Sequence, residues 1–184
     1  MLVKDVIKEA GELVGIATAV NAFLDGEKNV GEKVVETLLT CYQLVENELA
    51  LDYYPLVTEE EIATDTGKLD FEILQKPVVR FLAVRDVYGK HLPYDLYVGY
   101  LKTEPGILKI KYTYTPTTKK DIDGVCECAL GVSSRMMAYG VASEYCFISG
   151  LYEEGEVFAK KYREAIASVY RAQKSKTISS RRWV

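Results

Sequence analysis

The sequence predicts an α+β fold: an α-helical bundle built from the N- and C-terminal helices, an inserted small antiparallel β-sheet, and a flexible C-terminal arm. Three observations predict it. Apolar residues recur at three- and four-residue steps before Pro55 and again after Asp121, the spacing of one face of a helix. Between Leu56 and Thr115 the period drops toward two, the spacing of a half-buried strand. The closing segment, Lys174-Ser-Lys-Thr-Ile-Ser-Ser-Arg-Arg-Trp-Val184, carries four basic residues and no acid. The expected divisions are 1–55 for the first helices, 56–116 for the β block, 117–174 for the helices that complete the bundle, and 175–184 for the arm.

Leu2 to Val14 reads as a short amphipathic helix, with Leu2, Val6, Ala10, Leu13 and Val14 on one side and Gly15 as its stop. Ile16 to Phe23 is apolar enough for a further helical turn or two. Asp25-Gly26 and Asn29 mark a turn, and Val30 to Tyr53 is expected as one long helix, striped by Val34, Leu38, Cys41, Tyr42, Val45 and Leu49. Pro55 ends it, because proline disfavours helical geometry in the residue before it.

In the β block, Leu69, Phe71 and Ile73 alternate with Asp70, Glu72 and Leu74. Val79, Phe81 and Ala83 alternate with Arg80 and Leu82. Tyr88-Gly89-Lys90 is a turn, Leu96 to Leu101 a tyrosine-rich strand, and Thr103-Glu104-Pro105-Gly106 a type II turn. Leu108, Ile110, Tyr112 and Tyr114 against Lys109, Lys111 and Thr113 give the clearest strand, closed by Pro116.

Two helices in series follow, broken near Gly150. Gly124 to Ser149 is expected as the first, crowded with Ala129, Gly131, Ser133, Ser134, Ala138, Gly140, Ala142 and Ser143. Small side chains admit close backbone approach, so this helix should be buried on more than one side. Leu151 to Lys174 is a plainer amphipathic helix, with Phe158, Tyr162, Ala165, Ile166 and Val169 inward.

At 184 residues, with 48% hydrophobic and 27% charged side chains, the chain has the composition of a soluble globular domain. No apolar run approaches a bilayer span, and the N-terminus lacks a signal-peptide core. A cytoplasmic site of synthesis is the expectation. Cys41, Cys126, Cys128 and Cys146 all fall in predicted helices. Cys126-x-Cys128 has the wrong spacing for a zinc knuckle, and residues two apart on a helix diverge, so all four read as small buried apolar residues. Charge is unevenly spread: five lysines against fifteen acids through Asp70, then eighteen basic against twelve acidic residues, for a net of −4. The skew is either an accident of solvated faces or the mark of unlike poles suited to head-to-tail stacking.

No catalytic constellation is legible, and no enzyme activity, cofactor or metal is expected. His91, the single histidine, stands beside a turn without a cysteine or carboxylate cluster. Phosphate-cradling, dinucleotide and His-Glu-x-x-His motifs are absent. Glu59-Glu60-Glu61 reads as a solvated face rather than a cation site. Tyr88, Tyr94, Tyr97, Tyr100, Tyr112 and Tyr114 are open to two readings. Rings of this kind stack on single-stranded bases or anchor protein interfaces; without an interleaved basic stripe the second is preferred. The tail is either a frayed end or a partner-docking arm in which Lys174, Lys176, Ile178, Arg181, Arg182, Trp183 and Val184 fold onto a partner. Tryptophan and arginine are over-represented among binding hot spots, and Trp183 is the chain's only tryptophan.

With an N-terminal helical pair (Val3 to Val14, then Val30 to Tyr53), a tyrosine-rich β insertion ending in Tyr112-Thr-Tyr-Thr-Pro116, paired C-terminal helices around Gly150, and the closing Ser179-Ser-Arg-Arg-Trp183, the chain resembles the head-to-tail connector (adaptor) proteins of tailed bacteriophages, especially the tail tubular protein A type of podophages and crAss-like phages. The resemblance implies a structural virion protein at the head–tail interface, assembled in the host cytoplasm. It implies a ring of copies, commonly a dodecamer, docked by the C-terminal arm on the portal protein. The far face of such a ring meets a downstream neck or tail protein. Genomic DNA passes through the channel on ejection without sequence-specific binding, and no membrane is involved. The alternative reading is a nucleic-acid-binding module using the tyrosine-rich sheet and the basic tail.

Overall fold

The computed structural model describes residues 1–27, 30–128 and 131–174. The fold is α+β, with five α-helices and two three-stranded antiparallel sheets among those residues. It divides into two compact units: Met1–Val45, Lys119–Cys126 and Leu130–Val184 form the first, and Glu46–Thr118 with Glu127–Ala129 the second.

The first unit is helical. Helix α1 (Val3–Val14) buries Val3, Val6, Ile7 and Ala10, and ends at Gly15 in the left-handed conformation. Helix α2 (Ala17–Leu24) presses Val20 against α1, so closely that a Cβ on Gly11 would meet Val20 Cγ2 at 2.8 Å. The first part of α3 (Glu32–Glu48) contributes Val35, Leu38, Cys41, Tyr42 and Val45 to the core. Helix α4 (Ser134–Ile148) buries Met136, Met137, Ala138, Gly140, Val141, Ala142, Ser143 and Cys146. Burial on successive turns and on adjacent positions means that α4 is covered on more than one side, as its small residues predict. Helix α5 (Tyr152–Lys174) turns back along it after Gly150, burying Ala159, Tyr162 and Ile166. Ser143 Oγ donates to the Gly155 carbonyl at 3.1 Å, which binds the two helices where Gly155 lets them meet. At the other end of α4, Ser134 and Arg135 both donate to the Glu9 carboxylate on α1.

Helix α4 begins ten residues later than the sequence predicts. Ser133 is its N-cap, the side-chain oxygen accepting from Met136 N at 3.2 Å, and Gly131 before it has φ +99°. Before it, residues 124–126 pair with the chain's start: Val3 N donates to the Gly124 carbonyl and Cys126 N to that of Met1, around an isolated bridge between Leu2 and Val125. The Gly124 carbonyl and Cys126 N–H thus find partners outside a helix. Cys126 and Cys128 therefore do not lie in a helix, and both are disulfide-bonded, whereas Cys41 and Cys146 are free and buried. The expectation of four buried thiols holds for two.

The second unit is a small β structure. After α3, Leu49–Tyr53 widens into a π-turn, and Tyr54 N closes on the Leu49 carbonyl. Strands β1 (Leu56–Thr64), β6 (Gly106–Tyr114) and β3 (Val78–Arg85) form one sheet in the order β1-β6-β3. Strands β2 (Lys68–Asp70), β4 (Asp95–Tyr97) and β5 (Tyr100–Lys102) form the other, in the order β2-β5-β4. Between the sheets lie Leu69, Leu74, Phe81, Val84, Leu101, Leu108, Ile110 and Tyr112. Phe81 is the hub, its ring centroid 5.2 Å from Phe71, 6.2 Å from Tyr112 and 6.5 Å from Tyr94.

Strand β1 is not legible as a strand when the Glu59-Glu60-Glu61 run is read as a face, yet its register with β6 is unbroken from Leu56↔Tyr114 to Thr64↔Gly106. The segment predicted from Leu69 to Leu74 leaves the sheet after Asp70 for a short 3-10 turn, Phe71–Ile73. The single strand expected from Leu96 to Leu101 is a hairpin, turned at Val98-Gly99.

Candidate functional site

Alternation in β1 separates the three glutamates. Glu59 and Glu61 face outward opposite Lys111 and Lys109, the Glu61–Lys109 pair at 4.0 Å. Glu60 faces inward: its carboxylate accepts from the Tyr112 hydroxyl and from Gln75 N at 3.2 and 3.3 Å. Lys76 N in turn donates to the Tyr112 oxygen at 3.3 Å. One carboxylate of the run is thus a structural clamp on the chain entering β3. Nearby, Lys76 Nζ meets the Glu127 carboxylate at 3.0 Å and lies over the Tyr114 ring, while Glu127 N donates to buried Glu46 at 2.7 Å.

The outward face of the sheet β1-β6-β3 is ordered by charge: Glu59 and Glu61 on one edge strand, Lys109 and Lys111 in the middle, Arg80 and Arg85 on the other edge. Strand β3 carries irregularities between Val78 and Arg80 and between Phe81 and Ala83. They leave Val79 and Leu82 as extra residues without a partner on β6, turned outward and about half exposed. A bulge re-aims a side chain in this way at a sheet edge. Val79 and Leu82 join Ala50, Leu51, Pro55 and Val57 around a shallow apolar groove, floored by Thr113 and flanked by Arg80. Thr113 is only 9% exposed at its base.

On the other sheet, Gly99 (φ +85°) supplies the left-handed position of the β4–β5 turn, which places Val98 beside it at the apex. Val98 is fully exposed, at 101%, and Leu96 is 56% exposed. Tyr97 and Tyr100 stack beneath at 4.7 Å and 8°, and Lys68 covers Tyr100 at 4.7 Å. An apolar tip on a stiffened hairpin has no folding rationale of its own.

Of the six tyrosines noted in the sequence, Tyr112 is wholly buried, Tyr94 packs on Phe81, and Tyr97 and Tyr100 stack on each other. Tyr88 is the one most open to solvent, held in a turn where Asp86 accepts from its backbone N–H. His91 is exposed, with Arg85 Nε donating to its Nε2 at 3.3 Å. Among the described residues no helix is long and apolar enough to cross a membrane.

Of the residues expected to dock a partner, Lys174 is the last residue of α5. Lys176, Ile178, Arg181, Arg182, Trp183 and Val184 lie outside the described residues. No protein-family model matches the chain, and a search of curated proteins gives no match.

Proposed function

We propose that the chain is a structural virion protein: a head-to-tail adaptor that forms a neck ring on the portal and contributes to the channel through which genomic DNA reaches the tail. The reading rests on the resemblance of element order and C-terminal arm to phage connectors. The observation that carries it is the delivery of that arm. Helix α5 runs unbroken for 23 residues from Tyr152 to Lys174, about 34 Å at helical rise, and hands over directly to the segment with Lys176, Arg181, Arg182 and Trp183. A basic, tryptophan-bearing segment carried on a long helix suits docking on an acidic or carbonyl-lined groove of a partner protein. The helical unit anchors the arm, and the β unit offers separate surfaces to neighbouring copies and to the downstream neck or tail protein.

Electron microscopy of the protein mixed with its candidate portal tests the proposal. The expected result is an additional ring of density on one face of the portal, on the same symmetry axis. Bare portal rings at saturating protein would contradict it.

A further inference from the structure

We propose that the hairpin tip at Val98 of one copy inserts into the groove between Leu51, Val57, Val79 and Leu82 of a second copy, forming the head-to-tail contact of an oligomer. The inference rests on the adaptor reading and specifies which surfaces join its copies.

Four observations carry it. First, the two features match in character: a projecting apolar knob with Leu96 and Val98 most exposed, and an apolar recess whose walls are half exposed and whose floor is nearly closed. Second, one copy cannot satisfy itself. The knob belongs to the sheet β2-β5-β4, and the groove opens on the outer face of the sheet β1-β6-β3, whose inner face holds the core shared with Leu69 and Leu101. Third, the charges beside them are opposite. Asp95 stands at the base of the knob and Arg80 on the groove wall. Neither makes an ion pair among the described residues. Fourth, both parts are stiff. The stacked Tyr97–Tyr100 pair braces the hairpin, and the irregularities of β3 fix Val79 and Leu82 outward. Preorganisation of this kind lowers the entropy lost on association.

A knob and a recess at different places on one molecule give a heterologous contact, which closes into a ring or runs on as a filament according to its rotation. The bulges that build the recess also blunt the β3 edge against simple strand-to-strand pairing. The contact made there is therefore side chain into groove rather than sheet extension.

Sedimentation velocity of the full chain, from micromolar to millimolar concentration, tests this. Val98→Asp removes the knob and Leu82→Glu spoils the groove; both positions are exposed, and thermal melts check that each variant folds. Wild type should self-associate, and each variant alone should weaken association by about tenfold or more. An equimolar mixture of the two variants should stop at a dimer, because one retains a groove and the other a knob. Arg80→Glu and Asp95→Arg should each weaken association, and the two changes in one chain should restore it. Wild type that stays monomeric throughout, or variants that associate like wild type, would overturn the contact. Association that ignores both substitutions would leave the ring standing on another interface, whereas failure to add to portal rings tests the adaptor reading itself.

Discussion

A Cβ on Gly140 would stand 2.8 Å from Cγ1 of Val45, so α4 crosses α3 at a point where only a hydrogen fits. The Tyr162 ring of α5 closes the same spot from another side, at 3.1 Å from that position. Gly140→Leu should therefore lower stability by about 1–3 kcal/mol through overpacking, with Ala138→Phe in the same range. Even Gly140→Ala should cost stability, and Val45→Ala in that background should recover part of the loss. Thermal and urea denaturation followed by far-UV circular dichroism decide it. Unchanged midpoints for all three single variants would show that the helices are not packed as described.

The inward glutamate of β1 gives an alkaline signature. Burial, and then the hydrogen bond to Glu60, push the Tyr112 hydroxyl up from 10.0 to about 12. A raised folded value means that its contribution to stability is complete below the unfolded value of about 10 and is lost as pH climbs toward 12. Stability should therefore fall across that window. Tyr112→Phe should cost on the order of 1 kcal/mol at neutral pH and flatten the alkaline fall. Urea midpoints measured across the window would contradict this by showing the same slope in both proteins.

The cysteines make a countable prediction. Cys41 and Cys146 are buried and free; burial, and then the nearby Glu144 carboxylate, push the Cys41 thiol up to about 12. Native protein should not react with a thiol reagent. Unfolded without reductant it should release two thiols, and after reduction all four. Four thiols without reductant would show that Cys126 and Cys128 are not disulfide-bonded.

Much of the fold is legible in the sequence because it is periodic. The stripes of α1, α3 and α5 and the alternation of β6 declare themselves, and the crowd of small residues after Gly131 marks a helix covered on several sides. What is not legible is set by distant partners. Val125, Cys128 and Val132 stand at helical steps from Met136, yet residues 124–126 pair with the chain's first residues; Gly131 and the capping Ser133 are the local signals that the helix starts later. Strand β1 hides because its glutamates look like one face, when alternation sends Glu60 to Tyr112 and Glu59 and Glu61 toward lysines. The Val79 and Leu82 wall of the groove cannot be read at all, since it arises from two irregularities in the β3–β6 register. The hairpin was half visible: Val98-Gly99 within a tyrosine-rich run is a turn signal.

The proposed docking through the C-terminal arm is open to a simple truncation. A protein ending at Gln173 keeps the buried positions of α5 at Ala159, Tyr162 and Ile166, so its fold and melting temperature should match the full chain. Quantified by electron microscopy and by co-sedimentation with portal rings, it should no longer attach. Trp183→Ala should reproduce most of that loss, roughly 2 kcal/mol or about thirtyfold in affinity, while Arg181→Ala and Arg182→Ala should weaken attachment in a salt-dependent way. Full occupancy of portal rings by the protein ending at Gln173 would contradict docking through the arm.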